Sequence, residues 1–247
     1  MCSSDLTNAT TPIANGFRLD GSGPGTVNNI LMENCTANYN EAGAASSSDA
    51  AGFFIRDISN SRIINCTANK NLADAANSYG FYMDLSVAGN QNNLVSGCLA
   101  KGNTASTADK NAVGIYSSAG TNNRFVKCKT NGQSAAVGSG GPTDGAGGSG
   151  ISLLTETRSQ VIECEAIGNA TASHANSLAY GIYLNAGTSC SVKDCYIAYN
   201  TAGALGDAFG IYDNGSNNDS DVSDTLLLSN IRSEEHTSEL QSPDHLV

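Results

Sequence analysis

Apolar and polar residues alternate with period two in a short run that follows a glycine, and this run returns seven times along the chain. The glycines are Gly16, Gly52, Gly80, Gly114, Gly150, Gly181 and Gly210, at intervals of 36, 28, 34, 36, 31 and 29 residues. Phe17, Phe53, Phe81, Ile115, Ile151, Ile182 and Ile211 stand first after them. Period two predicts a strand with one buried face. Farther on, each repeat carries a second marker, cysteine at Cys35, Cys66, Cys98, Cys128, Cys164 and Cys195, with Thr225 in its place at the seventh. Three residues before it lie Met32, Ile63, Val95, Phe125, Val161, Val192 and Val222; two after it lie Ala37, Ala68, Ala100, Thr130, Ala166, Ile197 and Leu227. These predict a second and a third short strand. Five residues after the marker comes an amide, Asn40, Asn71, Asn103, Gln133, Asn169, Asn200 and Asn230.

A repeat in fixed register outranks any single-residue signal. Strands this short cannot build a sandwich, whereas stacked coils pair each strand with its copy above and below, about 4.8 Å away. Like then packs on like. The cysteine column reads as core, because free cysteine behaves as a small hydrophobe, and no CxxC pair suggests metal or redox chemistry. The amide column reads as a tight turn, in which each amide tolerates unusual backbone angles and bonds to its copy in the next coil.

The form G-[FI]-[FY]-hydrophobic, then V-x-x-C-x-A-x-x-N and a variable loop, resembles the parallel β-helix repeats of the pectate-lyase-like superfamily over about residues 16–230. The resemblance implies an all-β, right-handed parallel β-helix of about seven coils with three short strands each. That superfamily contains polysaccharide lyases, glycoside hydrolases, epimerases, phage tailspikes, adhesins and proteins without known activity, so it implies a fold, and function must come from the site.

Residues 1–6 (MCSSDL) and 232–247 (RSEEHTSELQSPDHLV) break from the repeat in composition and register. Both resemble translated sequencing-adapter sequence, which recurs at the edges of metagenomic assemblies. The expected organisation is one β-helix domain over residues 7–231, truncated at both ends, with Cys2, His236 and His245 outside any site. The whole chain carries a formal charge of -11 from 12 basic and 23 acidic residues. Without Arg232, Asp5, Glu234, Glu235, Glu239 and Asp244 the counts are 11 and 18, a charge of -7. An acidic, charge-poor surface disfavours nucleic acid, which needs clustered Lys and Arg. No run is long and apolar enough for a transmembrane span. The glycine-rich stretch at residues 138–150 lacks the Lys-Ser/Thr ending of a phosphate loop and reads as a flexible connection.

Candidate chemistry lies on the outward side of the first strand. Its second position after each glycine holds Arg18, Phe54, Tyr82, Tyr116, Ser152, Tyr183 and Tyr212; the next outward position holds Asp20, Arg56, Asp84, Ser118, Leu154, Asn185 and Asn214. Aromatic faces beside acids and amides suit a glycan, and Phe54, Arg56, Tyr82, Tyr116, Tyr183, Asn185 and Tyr212 are the candidate contacts. Stacked tyrosines also stabilise a strand ladder with no ligand, by about 0.2 to 1 kcal/mol per pair. Residues before the glycines, Tyr79, Val113, Tyr180 and Phe209, are expected to tuck over the strand that follows. Asp20, Arg56 and Asp84 fall on consecutive coils, which predicts an ion-pair ladder. A catalytic alternative takes Asp20 and Asp84 as an acid and base, two coils or roughly 9 to 10 Å apart, within reach of an inverting glycosidase.

In polygalacturonase-like relatives the segments are Asn-Thr-Asp, Asp-Asp, Gly-His-Gly and Arg-Ile-Lys; none is present, and His174 lies in a loop. No cofactor or metal is expected, with calcium entering only under a lyase reading. The sequons at Asn34, Asn65, Asn169 and Asn214 arise readily in so Asn- and Thr-rich a chain. Cys190 stands outside the cysteine column, where other coils carry Ser61, Asn93, Asn123, Ser159 and Ser220. It is expected as a partly buried thiol at a turn, with a bond to Cys195 as the alternative. The reading is a secreted or surface-displayed β-helix protein, acting as a glycan-contacting, adhesive or structural module, or alternatively as a polysaccharide lyase or glycoside hydrolase.

Overall fold

The computed structural model describes residues 2–5, 14–21, 27–43, 49–84, 90–108, 110–137, 147–172, 177–203, 206–214 and 220–232. Among these residues there is no helix. All strand pairs are parallel, and the chain climbs as a β-solenoid of stacked coils. The five coils opening at Gly52, Gly80, Gly114, Gly150 and Gly181 are complete interior turns, each covered by a neighbour on both sides. A terminal coil opening at Gly16 or Gly210 flanks them. The seventh coil shows what that cover is worth, since Val222 and Leu227 on its inner columns are each 48% exposed while Val192 and Ile197 beneath them are at 0%.

The expected three strands per coil become four. The longest run through the glycines, from Ala14–Asp20 and Ala50–Arg56 through Ser78–Asp84, Ala112–Ser118, Gly147–Leu154 and Leu178–Asn185 to Asp207–Asp213, and make the glycine sheet. Three-residue strands such as Leu94–Ser96 make a second sheet, and strands after the cysteine such as Leu99–Lys101 a third. The fourth sheet was not expected; it holds short strands just after the amide, such as Leu72–Ala73 and Ala170–Thr171. Cys2–Asp5, expected outside the fold, runs as a strand beside Cys35–Asn38. Residues 233–247 lie outside the described residues. Gly147 to Gly150, read as flexible connection, instead begin a strand of the glycine sheet.

Corners, rather than the amides themselves, take the unusual backbone angles. The residue before each amide has positive φ in all seven coils, at Tyr39, Lys70, Gly102, Gly132, Gly168, Tyr199 and Ser229. So does the residue before each cysteine position, at Asn34, Asn65, Gly97, Lys127, Glu163, Asp194 and Asp224. Most of these are not glycine, so neighbouring coils hold the corner against a local preference. The amides supply the hold. Asn71 Nδ2 donates to Asn103 Oδ1 at 2.7 Å and Asn103 Nδ2 to Gln133 Oε1 at 2.8 Å, and the ladder resumes from Asn169 to Asn200 to Asn230.

Inside, Phe17, Phe53 and Phe81 stack with centroids 5.1 and 4.8 Å apart. The cysteines at 66, 98, 128, 164 and 195 are free and buried, as expected of core. Cys35 is buried in the same core but is disulfide-bonded rather than free. Cys190 is free as well, and fully rather than partly buried.

The leading glycines from Gly52 to Gly210 face inward beside the residue that follows each, which breaks the alternation. A Cβ on Gly80 would sit 2.5 Å from Gly114 O and 2.6 Å from Ala100 Cβ, and on Gly150 2.5 Å from Gly181 O and 2.8 Å from Ala166 Cβ. Glycine and alanine columns therefore require each other across the interior. Gly80→Ala is expected to cost about 2 kcal/mol or more by overpacking against backbone. Gly132→Ala, at φ +66 with open space around it, should cost only about 1 kcal/mol. Urea midpoints of the two variants measure the contrast.

Candidate functional site

The glycine sheet brings its outward residues into one ladder. Register pairs Arg18 with Phe54, then Tyr82, Tyr116, Ser152, Tyr183 and Tyr212 in turn. That placement agrees with the sequence, but the accessibility does not. Phe54 and Tyr183 are each only 1% exposed, whereas Tyr82, Tyr116 and Tyr212 are half-buried. The residue before each glycine is one cause. Tyr79 stacks on Tyr82 at 4.4 Å, Tyr180 on Tyr183 at 4.7 Å, and Phe209 packs on Tyr212 at 4.9 Å, as the tucking expectation had it. Two aromatic clusters result, Phe54, Tyr79, Tyr82 and Tyr116 on one side and Tyr180, Tyr183, Phe209 and Tyr212 on the other. The fifth coil separates them with Ser149 and Ser152, both buried.

Phe54 is covered by cations. The guanidinium carbons of Arg18 and Arg56 lie 5.1 and 4.8 Å from its ring centre, and Tyr82 meets it edge-on at 5.4 Å. Arg18 Nη2 bonds Asp20 Oδ2 at 2.5 Å, and Arg56 Nη2 bonds Asp84 Oδ2 at 2.8 Å. Arg56 Nη1 is 3.9 Å from Asp20. The expected ion-pair ladder is thus formed, with Arg56 standing between Asp20 and Asp84, where an acid and base pair would have to hold a glycosidic bond. Tyr82 OH reaches Asp84 Oδ1 at 3.4 Å. Burial pushes the Tyr82 phenol well above its ordinary range, so it is a neutral donor. Asn185 is nearly buried and accepts from Asn214 Nδ2 at 3.2 Å.

Two acidic residues escaped the sequence reading. Asp49 accepts from Asn77 N at 3.0 Å and begins a second amide ladder that runs through Asn111 to Gly147 N; burial raises its carboxyl above the ordinary value. Glu156 is wholly buried. Ser117 Oγ donates to its Oε1 at 2.6 Å and Gly120 N at 3.0 Å; Ser159 Oγ donates to Oε2 at 2.5 Å and Asn123 Nδ2 at 3.2 Å. The sequence does hold a signal for it. Ser117 interrupts a column that is otherwise apolar through the first six coils, at Leu19, Ile55, Met83, Leu153 and Leu184, and that reaches Asp213 on the seventh. Gly120 leaves the space in which the carboxylate lies, a Cβ there falling 2.5 Å from Glu156 Oε1.

Among the described residues no group of three or more His, Cys, Asp and Glu is placed to hold a metal ion, and no helix is long and apolar enough to cross a membrane. His174 lies outside the described residues. An apolar pocket lined by Phe17, Leu19, Ile30, Leu31, Met32, Glu33 and Cys35 opens at the first coil, away from the aromatic ladder. Comparison with protein-family models gives no match, and comparison with curated proteins gives none either.

Proposed function

We propose that this chain is a secreted or surface-displayed β-helix module of the right-handed, pectate-lyase-like kind, and that it contacts glycan through the first aromatic cluster. One observation carries the reading. Tyr82 and Tyr116 lie half-buried and tilted by 57° with centroids 5.3 Å apart, next to the Arg56–Asp84 pair. A sugar face can pack on such rings while its hydroxyls bond to the carboxylate and guanidinium beside them. Tyr79 packs against both rings and fixes their tilt, which lowers the ordering cost of binding. Tyr183 and Phe54 act as packing within this reading, and Tyr212 belongs to the second cluster. The catalytic alternative draws no support from Asp20 and Asp84, since both carboxylates are engaged by Arg56.

The test is retention of the protein on immobilised neutral and uronate-containing polysaccharides, together with assay of new chain ends. Exchanging Tyr82 and Tyr116 together for serine is expected to weaken retention about tenfold or more, roughly 1.4 kcal/mol, without unfolding the chain. Equal retention of variant and parent would sink the assignment of this cluster. New chain ends would replace the binding reading with an enzymatic one.

A further inference from the structure

Each guanidinium beside the first aromatic cluster has already committed the edge that would receive an acid. Arg18 Nε and Nη2 both donate to Asp20 Oδ2, at 3.2 and 2.5 Å, and Arg56 Nε and Nη2 both donate to Asp84 Oδ2, at 3.1 and 2.8 Å. Two N–H groups on one edge are the fork with which arginine takes up a carboxylate. The flat faces are engaged as well, since both guanidinium carbons lie over the Phe54 ring. Building on the glycan reading above, we propose that this cluster is a site for uncharged polysaccharide and discriminates against uronate chains.

The charges around the rings balance. Arg18 and Arg56 stand against Asp20 and Asp84, Lys110 attracts Asp49, and Asp49 and Asp84 both bear on the Tyr82 phenol. A uronate carboxylate arriving here would leave water for cations whose charge is already matched, and would come close to like charges. Its desolvation is poorly offset. A neutral sugar carries no such cost.

What the site leaves to a ligand suits hydroxyl groups. Asp84, its side chain 20% exposed, takes both arginine bonds on Oδ2, while its Oδ1 meets Tyr82 OH at 3.4 Å. A carboxylate oxygen accepts more than one hydrogen bond, so a hydroxyl lying across Tyr82 can donate to it. Arg56 Nη1, 3.9 Å from Asp20 Oδ2, supplies a single donor in place of a fork. A hydroxyl can both give to Asp84 and accept from Arg56; a carboxylate can only accept.

The chain also carries a formal charge of -11, which repels a polyuronate from any face, so the experiment is run at two salt concentrations. Retention of the full chain is measured on immobilised glucan, mannan and galactan, and on polygalacturonate and alginate, at about 0.05 and about 0.5 M salt. At the higher concentration, exposed charges more than about 5 Å apart are largely screened. At least one neutral matrix should still retain the chain there about tenfold or more better than either polyuronate. Changing Asp20→Asn and Asp84→Asn together frees both forks, and retention on polyuronate should then rise about tenfold or more while retention on the neutral matrix falls. Polyuronate retention that stays unchanged in the folded double variant would overturn the part given to the arginines. Polyuronate retention by the parent equal to that on every neutral matrix at high salt would overturn the discrimination and leave a glycan site standing. No retention on any of the five would overturn the glycan reading and this inference with it. The parent's comparison at high salt decides the matter even where the double variant does not fold.

Discussion

Exchanging Phe53 for alanine is expected to destabilise the solenoid by about 4 kcal/mol, the largest effect of any single change to its core. Phe53 is wholly buried, with the Phe17 ring 5.1 Å away on one side, nearly parallel at 9°, and the Phe81 ring 4.8 Å away on the other at 3°. Truncation removes its own transfer energy and also strips one face from each neighbour. A column cannot close the gap sideways, since spacing along it is set by backbone pairing at about 4.8 Å. In a stack whose coils touch only their neighbours, the loss concentrates at the joints between the first three coils. Urea denaturation of the variant measures the total. Hydrogen exchange of the Ala14–Asp20 and Ser78–Asp84 strands locates it, and a loss spread evenly over all seven coils would contradict the nearest-neighbour account.

Asn103→Ala should cost about 3 kcal/mol for a different reason. Asn103 Oδ1 accepts from both Asn71 Nδ2 at 2.7 Å and Asn71 N at 3.2 Å, and its Nδ2 donates to Gln133 Oε1 at 2.8 Å. Alanine leaves the buried Asn71 N–H with no partner at that side and ends the ladder at one stroke. Asn103→Asp separates shape from hydrogen bonding, because it sets a carboxylate oxygen against Gln133 Oε1, acceptor to acceptor. Protonation cures that opposition, so the folded aspartate titrates above its ordinary value. The variant should regain stability in acid and lose it as pH rises through the folded value. An Asp variant as stable as the parent at neutral pH would show that the ladder stabilises by packing rather than by its hydrogen bonds.

The glycine, cysteine and amide columns could be read from the chain because each keeps its residue type through nearly every coil, and a stacked fold turns constancy at a register into contact. The fourth sheet could not. Its strands are as short as Leu72–Ala73, too brief for alternation to register. Corners were equally hidden, since residues as unlike as Asn34, Lys127 and Asp194 share one backbone angle there. The outward tyrosines were placed in the right ladder, but their burial depends on partners three residues earlier, and only Tyr79, Val113, Tyr180 and Phe209 gave notice of that. The ion-pair ladder of Asp20, Arg56 and Asp84 was legible because all three sit on consecutive coils at one register. Glu156 was missed for the opposite cause. Reading a repeat by its columns discards what occurs in one coil alone, and Ser117 among its apolar neighbours and Glu156 at the register of Gly120 and Gly187 each occur once.

The shared register also makes length a heritable variable of this architecture. Any interior coil offers its neighbour nearly the same underside, so one coil of 28 to 36 residues can be copied or lost in a gene and the survivors still meet column on column. Gly181 would face Gly114 as readily as it now faces Gly150. One junction is keyed against such exchange. Glu156 finds three of its four donors on the coil that carries Ser117, Gly120 and Asn123, so the fourth and fifth coils must be inherited together, as a single double-length unit inside an otherwise interchangeable stack.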